Sequence, residues 1–136
     1  MKVMTVPGLT VFEQAVLDKL LAGDEYILRV LQRQAGQASL GARTMTGVGF
    51  YCTLVLPPDV HEVSSPTEFE IADVKGTFSN LQHGAQFVLF VRSGRIAWFE
   101  GYTSPELWPT EIQGFTLTYL AEPRRIPTEF PSPQRR

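Results

Sequence analysis

The chain of 136 residues has a mass of 15.2 kDa, which is the size of one domain and is enough to bury a core without a metal or disulfide. Apolar residues make up 43% of the sequence and charged residues 19%, which excludes a disordered or collagen-like chain. Cys52 is the only cysteine, so no internal disulfide forms and a reducing, cytoplasmic setting is expected. The apolar runs are far shorter than the ~20 residues that cross a bilayer, so no membrane contact is expected.

The formal net charge of −2 is unevenly distributed along the chain. Residues 1–122 carry eight Lys and Arg against thirteen Asp and Glu, whereas residues 123–136 carry four Arg against Glu129. Affinity for nucleic acid comes mainly from neutralising backbone phosphates, so the acidic body argues against a nucleic-acid partner. The same charge suits a basic protein partner.

Apolar residues recurring every three and four positions predict two helices in the N-terminal quarter of the chain. The first spans residues 10–22, and Thr10 and Glu13 have the spacing of a capping box at its start. Asp24 is the predicted N-cap of a second helix that ends near residue 35. Each helix has one apolar stripe, so both are expected to pack on a common core.

Beyond residue 37 the apolar period changes to two, which predicts β-strands. The first candidates span residues 38–46, 48–56 and 69–78, and Gly76 indicates a bulge or bend in the third. A last strand at residues 114–121 alternates apolar residues with threonines, whose side is expected to meet water.

The clearest local signal is a β-hairpin at residues 85–102, where two apolar runs flank the turn pair Ser93 and Gly94. A two-residue turn predicts the following cross-strand pairs: Val91 with Ile96, Phe90 with Ala97, Leu89 with Trp98, Val88 with Phe99 and Phe87 with Glu100. Both faces of the hairpin are apolar. It is therefore expected in the middle of a sheet with cover on both sides, or with one face in an oligomer contact.

The order of two helices followed by strands is typical of an α+β fold. We predict an N-terminal helical pair packed on an antiparallel sheet of about five strands, with residues 1–122 forming a single domain. Residues 123–136 contain four prolines and four arginines, which cannot continue a central strand and predict an extended tail.

No residue pattern predicts a catalytic residue, a metal or a cofactor. Cys52 with His61 or His83 would supply a thiolate and a base. However, Cys52 lies in phase with Phe50 and Leu54 on an apolar strand face, where a cysteine packs as a small hydrophobic side chain and its pKa rises. Neither histidine has a metal-ligand spacing.

Glu68 and Glu70 share a strand face and suggest a general acid and base. Catalytic pairs need surroundings that move their pKa values apart, whereas exposed glutamates on a strand are ordinary. We therefore interpret the pair as part of a solvated surface.

The segment 98–111, WFEGYTSPELWPTE, combines aromatic and acidic residues and contains no Lys or Arg. Rigid aromatic side chains supply contact area at low entropic cost, and acidic groups around them steer a basic partner into register. The residues predicted to contact this partner are Glu100, Tyr102, Glu106, Trp108 and Glu111. Two competing interpretations are that Trp98 belongs to the core and that Trp108 folds back over a sheet edge.

Glu100 shares a face with Trp98 and Ile96 in the predicted pairing. A lone ionised carboxylate is costly to bury, so we expect Glu100 at the sheet margin or paired with a cation such as Arg43 or Arg29. A pocket-lining Glu100 would be the best argument for an enzyme.

Two segments, TGVGFY at residues 46–51 and FVLFVRSGRIAWFEGYTSPELWP at residues 87–109, resemble short, uncharacterised bacterial proteins of one domain. Some of these proteins are similar to immunity-type partners of secreted toxins. The resemblance brings no catalytic motif and transfers no functional residue. It implies a binding protein without an active site.

The sequence thus predicts a non-enzymatic, immunity-like interaction module that presents an acidic and aromatic surface to a protein partner. The alternative is a small-molecule binder or enzyme whose pocket lies between the helical pair and the sheet, with polar groups from Arg43, Cys52 and Glu100. A homodimer formed through apolar sheet faces is compatible with either function.

Overall fold

The computed structural model describes residues 5–128. Two helices, α1 (Val11–Leu21) and α2 (Tyr26–Ala35), precede the strands. The strands are β1 (Ser39–Met45), β2 (Gly49–Val55), β3 (Phe69–Phe78), β4 (Ala85–Arg92), β5 (Arg95–Tyr102) and β6 (Phe115–Tyr119). They form one antiparallel sheet of six strands in the order β1-β2-β5-β4-β3-β6. The predicted α+β fold is confirmed, with six strands instead of about five.

The start of α1 is the predicted capping box. The Thr10 hydroxyl accepts a hydrogen bond from the Glu13 amide at 3.1 Å, and the Glu13 carboxylate accepts one from the Thr10 amide at 2.8 Å. The start of α2 differs from the prediction by one residue, because the N-cap is not Asp24. Glu25 occupies the N-cap position and makes no capping hydrogen bond with its side chain.

Both helices cover the same face of the sheet, which we call the inner face. α1 packs on β3 and β4, and α2 packs on β5. The largest side chains in the resulting core that are fully buried include Phe87, Phe99, Leu17, Leu20, Leu28 and Leu89.

A buried glutamine joins α2 to the β4–β5 turn. Gln34 is 0% exposed, and its amide nitrogen donates to the carbonyl oxygens of His61 and Gly94, each at 2.9 Å. Its side-chain oxygen accepts a hydrogen bond from the Ile96 amide at 2.8 Å. These bonds satisfy the buried amide group of Gln34, and they hold the hairpin turn against the helix.

The β4–β5 hairpin turns at Ser93 and Gly94, which have φ values of 55° and 73°, as a tight two-residue turn requires. Val91 pairs with Ile96 as predicted, but the register then shifts because Ala97 is an extra, bulged residue. The pairs beyond the bulge are Phe90 with Trp98, Leu89 with Phe99, Val88 with Glu100 and Phe87 with Gly101. The predicted pairs beyond Val91–Ile96 are therefore wrong by one residue.

This shift exchanges the two faces of β5, because side chains alternate along a strand. Phe99 is buried in the core, and a Cβ at Gly101 would collide with the rings of Phe87 and Phe50, so both positions face the helices. Trp98 and Glu100 consequently point away from the helices. The interpretation of Trp98 as a core residue is wrong.

The predicted bulge in β3 lies elsewhere in the strand. The register with β4 shifts between Ile71 and Val74. Gly76 is buried and paired regularly with Ala85. Its missing side chain leaves room for the ring of Phe87.

The chain remains packed on the domain after β6. Arg124 forms an ion pair with Asp73 at 2.7 Å and donates to the carbonyl oxygens of Leu20 and Ala22 near the end of α1. Ile126 packs against the core. Packing thus continues past residue 122, and residues 129–136 of the predicted tail lie outside the described residues. Between residues 5 and 128, neither helix has the length and apolar character needed to cross a membrane.

Candidate functional site

The outer face of the sheet, opposite the helices, exposes a patch of aromatic side chains. Tyr51 on β2 is 36% exposed, and Tyr102 on β5 is 38% exposed. Trp98 and Phe90, on β5 and β4, are half-buried. We call these four residues together with Glu100 the outer-face patch.

Glu100 lies at the centre of this patch. It pairs across the sheet with Tyr51 on one side and with Val88 on the other. Trp98 and Tyr102 flank it along β5, where residues two positions apart lie about 7 Å from each other on one face. The indole nitrogen of Trp98 donates a hydrogen bond to the Glu100 carboxylate at 3.1 Å.

Glu100 forms none of the ion pairs found among residues 5–128. The expectation that Arg43 neutralises it is wrong, because the side chain of Arg43 pairs with Glu13 on the other side of the sheet. The carboxylate is instead held at a half-buried position in the middle strands of the sheet. The prediction that Glu100 lies at the sheet margin is therefore also wrong, because β5 is an interior strand.

A cation already covers one border of the patch. The rings of Phe90 and Trp98 stack with centroids 4.4 Å apart and an angle of 15° between their planes. The Arg92 guanidinium lies 5.4 and 5.5 Å from these two ring centroids and forms ion pairs with Glu68 and Glu70 at 3.6 and 3.0 Å. Glu68 and Glu70 thus hold Arg92 in place, in agreement with a surface role.

The remaining predicted contact residues do not lie on the outer-face patch. The Glu106 carboxylate accepts hydrogen bonds from the backbone amides of Gln82, at 2.7 Å, and His83. These bonds lower the pKa of Glu106 and tie its loop to the β3–β4 connection. Glu111 is exposed, and its backbone carbonyl accepts a hydrogen bond from Asn80 at 2.9 Å.

Trp108 lies on the inner side of the sheet. Its ring centroid is 5.4 Å from that of Phe50, 5.7 Å from that of Phe78 and 6.2 Å from that of Phe12. Its backbone amide donates to the carbonyl oxygen of Gly47 at 2.9 Å. Trp108 therefore closes the end of the core, and it is half-buried there.

Next to Trp108, a cavity of about 520 Å³ opens between the start of α1, strand β1 and residues 108–115. We call it the α1–β1 cavity. Its lining is mainly apolar and includes the Glu13–Arg43 ion pair, in which both hydrogen bonds measure 2.6 Å. Burial alone would raise the pKa of Glu13, but hydrogen bonds from Arg43 and the Thr10 amide outweigh it and lower that pKa.

Cys52 lies behind this ion pair and is 0% exposed. Burial, reinforced by the nearby charge of Glu13, raises the pKa of its thiol to about 12. A thiol that stays protonated is a poor nucleophile. The interpretation of Cys52 as a core residue is confirmed, and the raised pKa agrees with the expected low reactivity.

Within residues 5–128, no group of three or more His, Cys, Asp and Glu side chains is arranged to hold a metal ion. The chain matches no protein family model, no curated protein and no solved structure. The outer-face patch and the α1–β1 cavity are therefore the two candidate functional surfaces.

Glu100 and Tyr102 are the two predicted contact residues that lie in the outer-face patch, and their neighbours Tyr51, Phe90 and Arg92 are not among the predicted ones. The alternation of side chains along β2 predicts that Tyr51 and Phe50 lie on opposite faces of the sheet, and the structure agrees. Its pairing with Glu100 depends on the sheet order, for which the chain carries no local signal.

Proposed function

We propose that this protein is a non-enzymatic interaction module that docks a partner protein on the outer-face patch. The partner contributes a Lys or Arg side chain, which Glu100 receives between Tyr51, Trp98 and Tyr102. The observation that carries this proposal is a central carboxylate that lies beside the exposed Tyr51 and Tyr102 and the half-buried Trp98 and has no cationic partner among residues 5–128.

The chemistry of the patch favours a cation with an apolar stem. Aromatic rings attract cations through the negative charge of their faces, an interaction of about 0.5–1 kcal/mol at exposed sites. A hydrogen bond to a carboxylate from a charged donor adds about 1.5–3 kcal/mol. The stem of a Lys or Arg side chain also packs well on aromatic rings. Arg and aromatic residues are accordingly enriched among the contacts that dominate binding energies.

The charge of the whole chain supports the same partner. Residues 1–122 carry an excess of acidic over basic residues, thirteen against eight, which attracts a basic protein at long range. At the border of the patch, Glu68 and Glu70 are paired with Arg92, so Glu100 is the carboxylate of the patch left for the partner.

A more specific form of the proposal is an immunity-like protein of the bacterial cytoplasm. Its support is the resemblance of residues 46–51 and 87–109 together with the free, buried thiol of Cys52, which suits a reducing compartment. A neutralising protein of this kind needs a binding surface and no active site.

Selection from a library of random peptides tests the proposal without knowledge of the natural partner. We expect the recovered peptides to share a Lys or Arg next to apolar residues. Glu100→Gln should weaken their binding at least about tenfold, whereas Glu111→Gln, at an exposed acid outside the patch, should leave it unchanged. The amide oxygen introduced by Glu100→Gln would still accept the Trp98 hydrogen bond, so the fold is preserved.

Recovered peptides without a basic residue would overturn the proposal, as would equal binding by the Glu100→Gln and unsubstituted proteins. A second copy of this chain is the competing occupant of the patch. Analytical sedimentation would detect such a dimer. If the dimer is lost in Glu100→Gln, the occupant of the patch is a second copy of this chain, and the proposal of a different protein partner is overturned.

A further inference from the structure

The α1–β1 cavity is a second concave surface that the proposed docking does not use. Its volume of about 520 Å³ lies within the range of about 300–1,000 Å³ that is usual for small-molecule sites. The walls are formed by side chains from α1, β2, the β5–β6 connection and the first residue of β6, namely Phe12, Phe50, Trp108, Ile112 and Phe115. Such a wall fits the apolar body of a ligand.

The rim of the cavity is apolar as well. Val11 on α1 is 85% exposed and Met45 on β1 is 58% exposed, and both line the opening. Exposed apolar side chains around an apolar cavity gain from being covered. The rim therefore extends the surface that an apolar ligand can bury.

Arg43 provides the polar end of the cavity. Its Nε and Nη2 atoms donate to Glu13 at 2.6 Å each, and Nη2 also donates to the carbonyl oxygen of Gly8 at 2.9 Å. These bonds fix the guanidinium, and the Arg43 side chain, which lines the cavity, remains 32% exposed. A planar guanidinium held in this way is suited to a carboxylate ligand.

The polar end is positive despite Glu13, because the first turn of α1 forms the adjacent wall. Thr10, Val11 and Phe12 line the cavity there, and the start of a helix carries a partial positive charge. The unit charges of Arg43 and Glu13 cancel in their ion pair, so the partial charge of the helix start, about half an elementary charge, leaves a small positive excess. An anionic end of a ligand is therefore favoured over a cationic one.

We infer that the α1–β1 cavity binds a small monocarboxylic acid with an apolar body, whose carboxylate accepts a hydrogen bond from Arg43. The apolar body lies against Trp108 and Ile112, under the rim formed by Val11 and Met45. This inference is independent of the proposed docking, since the cavity and the outer-face patch lie on opposite sides of the sheet.

Fluorescence of Trp108 offers a direct test. The chain has two tryptophans, so Trp98→Phe leaves Trp108 in the cavity wall as the only one. Decanoate and 4-phenylbutanoate serve as probes, with decylammonium as the matched cation. We expect a saturable change in fluorescence with at least one acid, and binding at least about tenfold tighter than that of decylammonium. No saturable change up to about 5 mM of either acid, or equal binding of the cation, would overturn the inference.

Variants at the rim locate the ligand. Met45→Glu places a carboxylate beside the site at an exposed position, so it should weaken binding of the acid at least about tenfold. Met45→Gln removes the same apolar contact without adding a charge, so it should weaken binding by clearly less. Leu120→Glu, at a position 52% exposed just after β6, is the matched control and should bind like the unsubstituted protein. Weaker binding in Leu120→Glu with unchanged binding in Met45→Glu would show that the acid binds elsewhere, and would contradict the inference.

Discussion

Cys52 gives the clearest pH dependence at the scale of single residues. Its thiol has a pKa of about 12 in the fold, against an ordinary value of 9.0. Above pH 9 the unfolded chain releases this proton while the folded chain keeps it, so the unfolded state binds fewer protons. The free energy of unfolding must then fall as the pH rises through this window, by at most about 1.4 kcal/mol per pH unit.

We therefore predict that Cys52→Ala flattens the alkaline loss of stability. Urea denaturation at pH 8 and pH 10.5 measures the free energy of unfolding in both proteins. Other groups that titrate there, such as Tyr119, are common to both, so the difference between the two slopes isolates the thiol. Equal slopes would mean that Cys52 does not keep its proton in the folded state.

Glu13, which lies next to Cys52, gives a pH dependence of the opposite sign: its contribution to the free energy of unfolding increases as the pH rises. The pKa of Glu13 is lowered in the fold, so its interactions with Arg43 and the Thr10 amide stabilise the protein at pH values above the ordinary pKa of a glutamate. This contribution is lost as the pH falls through the lowered pKa. The capping box and the ion pair thus use one carboxylate for two purposes.

At the scale of elements, Gln34 holds the hairpin turn against α2. Leucine fills a similar volume but makes none of the three hydrogen bonds, so the Ile96 amide and the His61 carbonyl lose Gln34 as their partner, while the Gly94 carbonyl keeps only its bond from the Val63 amide. We expect Gln34→Leu to lower the free energy of unfolding by about 3 kcal/mol. Gln37→Leu, at an exposed position just after the helix, should change it by less than about 0.5 kcal/mol, as measured by urea denaturation.

A loss in Gln34→Leu no larger than that in Gln37→Leu would contradict the role assigned to Gln34. The sequence alone does not reveal this role. A glutamine in an amphipathic helix is ordinary on the surface, and the partners of Gln34 come from residues 61, 94 and 96, far along the chain.

Elements with a local signal can be predicted from the sequence. The capping box of α1 and the Ser93–Gly94 turn depend on residues close together in the chain, and both lie where the sequence predicts them. The bulge at Ala97 cannot be found in this way. Both faces of the hairpin are apolar, so a shift of one residue leaves the hydrophobic pattern equally satisfied and the alternation does not fix the register.

At the scale of the whole molecule, the order of the strands decides which residues share a site. The interpretation of segment 98–111 as one contact surface depends on its residues being neighbours in the chain. The side chains of its strand part alternate between the two faces of the sheet. In the loop that follows, Trp108 packs on the inner side of the sheet, and the Glu106 carboxylate accepts hydrogen bonds from backbone amides. The outer-face patch instead combines β5 with β2 and β4.

The same strand order separates the outer-face patch from the α1–β1 cavity. β1 and β2 form one wall of the α1–β1 cavity with their inner side, and β2 contributes Tyr51 to the outer-face patch with its outer side. A substitution at Tyr51 should therefore change binding of the protein partner and not of the acid, and a substitution at Phe50 should do the reverse. This makes the proposed protein partner and the inferred acid ligand experimentally separable.

The most direct measurement of the central claim is an NMR titration of the labelled protein with N-acetyl-arginine amide, using the uncharged N-acetyl-citrulline amide as control. The Trp98 indole N–H donates to Glu100 and reports on that carboxylate. We predict that the arginine compound shifts this signal and the amide signals of Tyr51, Glu100 and Tyr102, that the citrulline compound shifts them much less, and that Glu100→Gln removes the effect. Shifts located away from these residues, or retained in Glu100→Gln, would contradict the claim that the outer face receives a cation at Glu100.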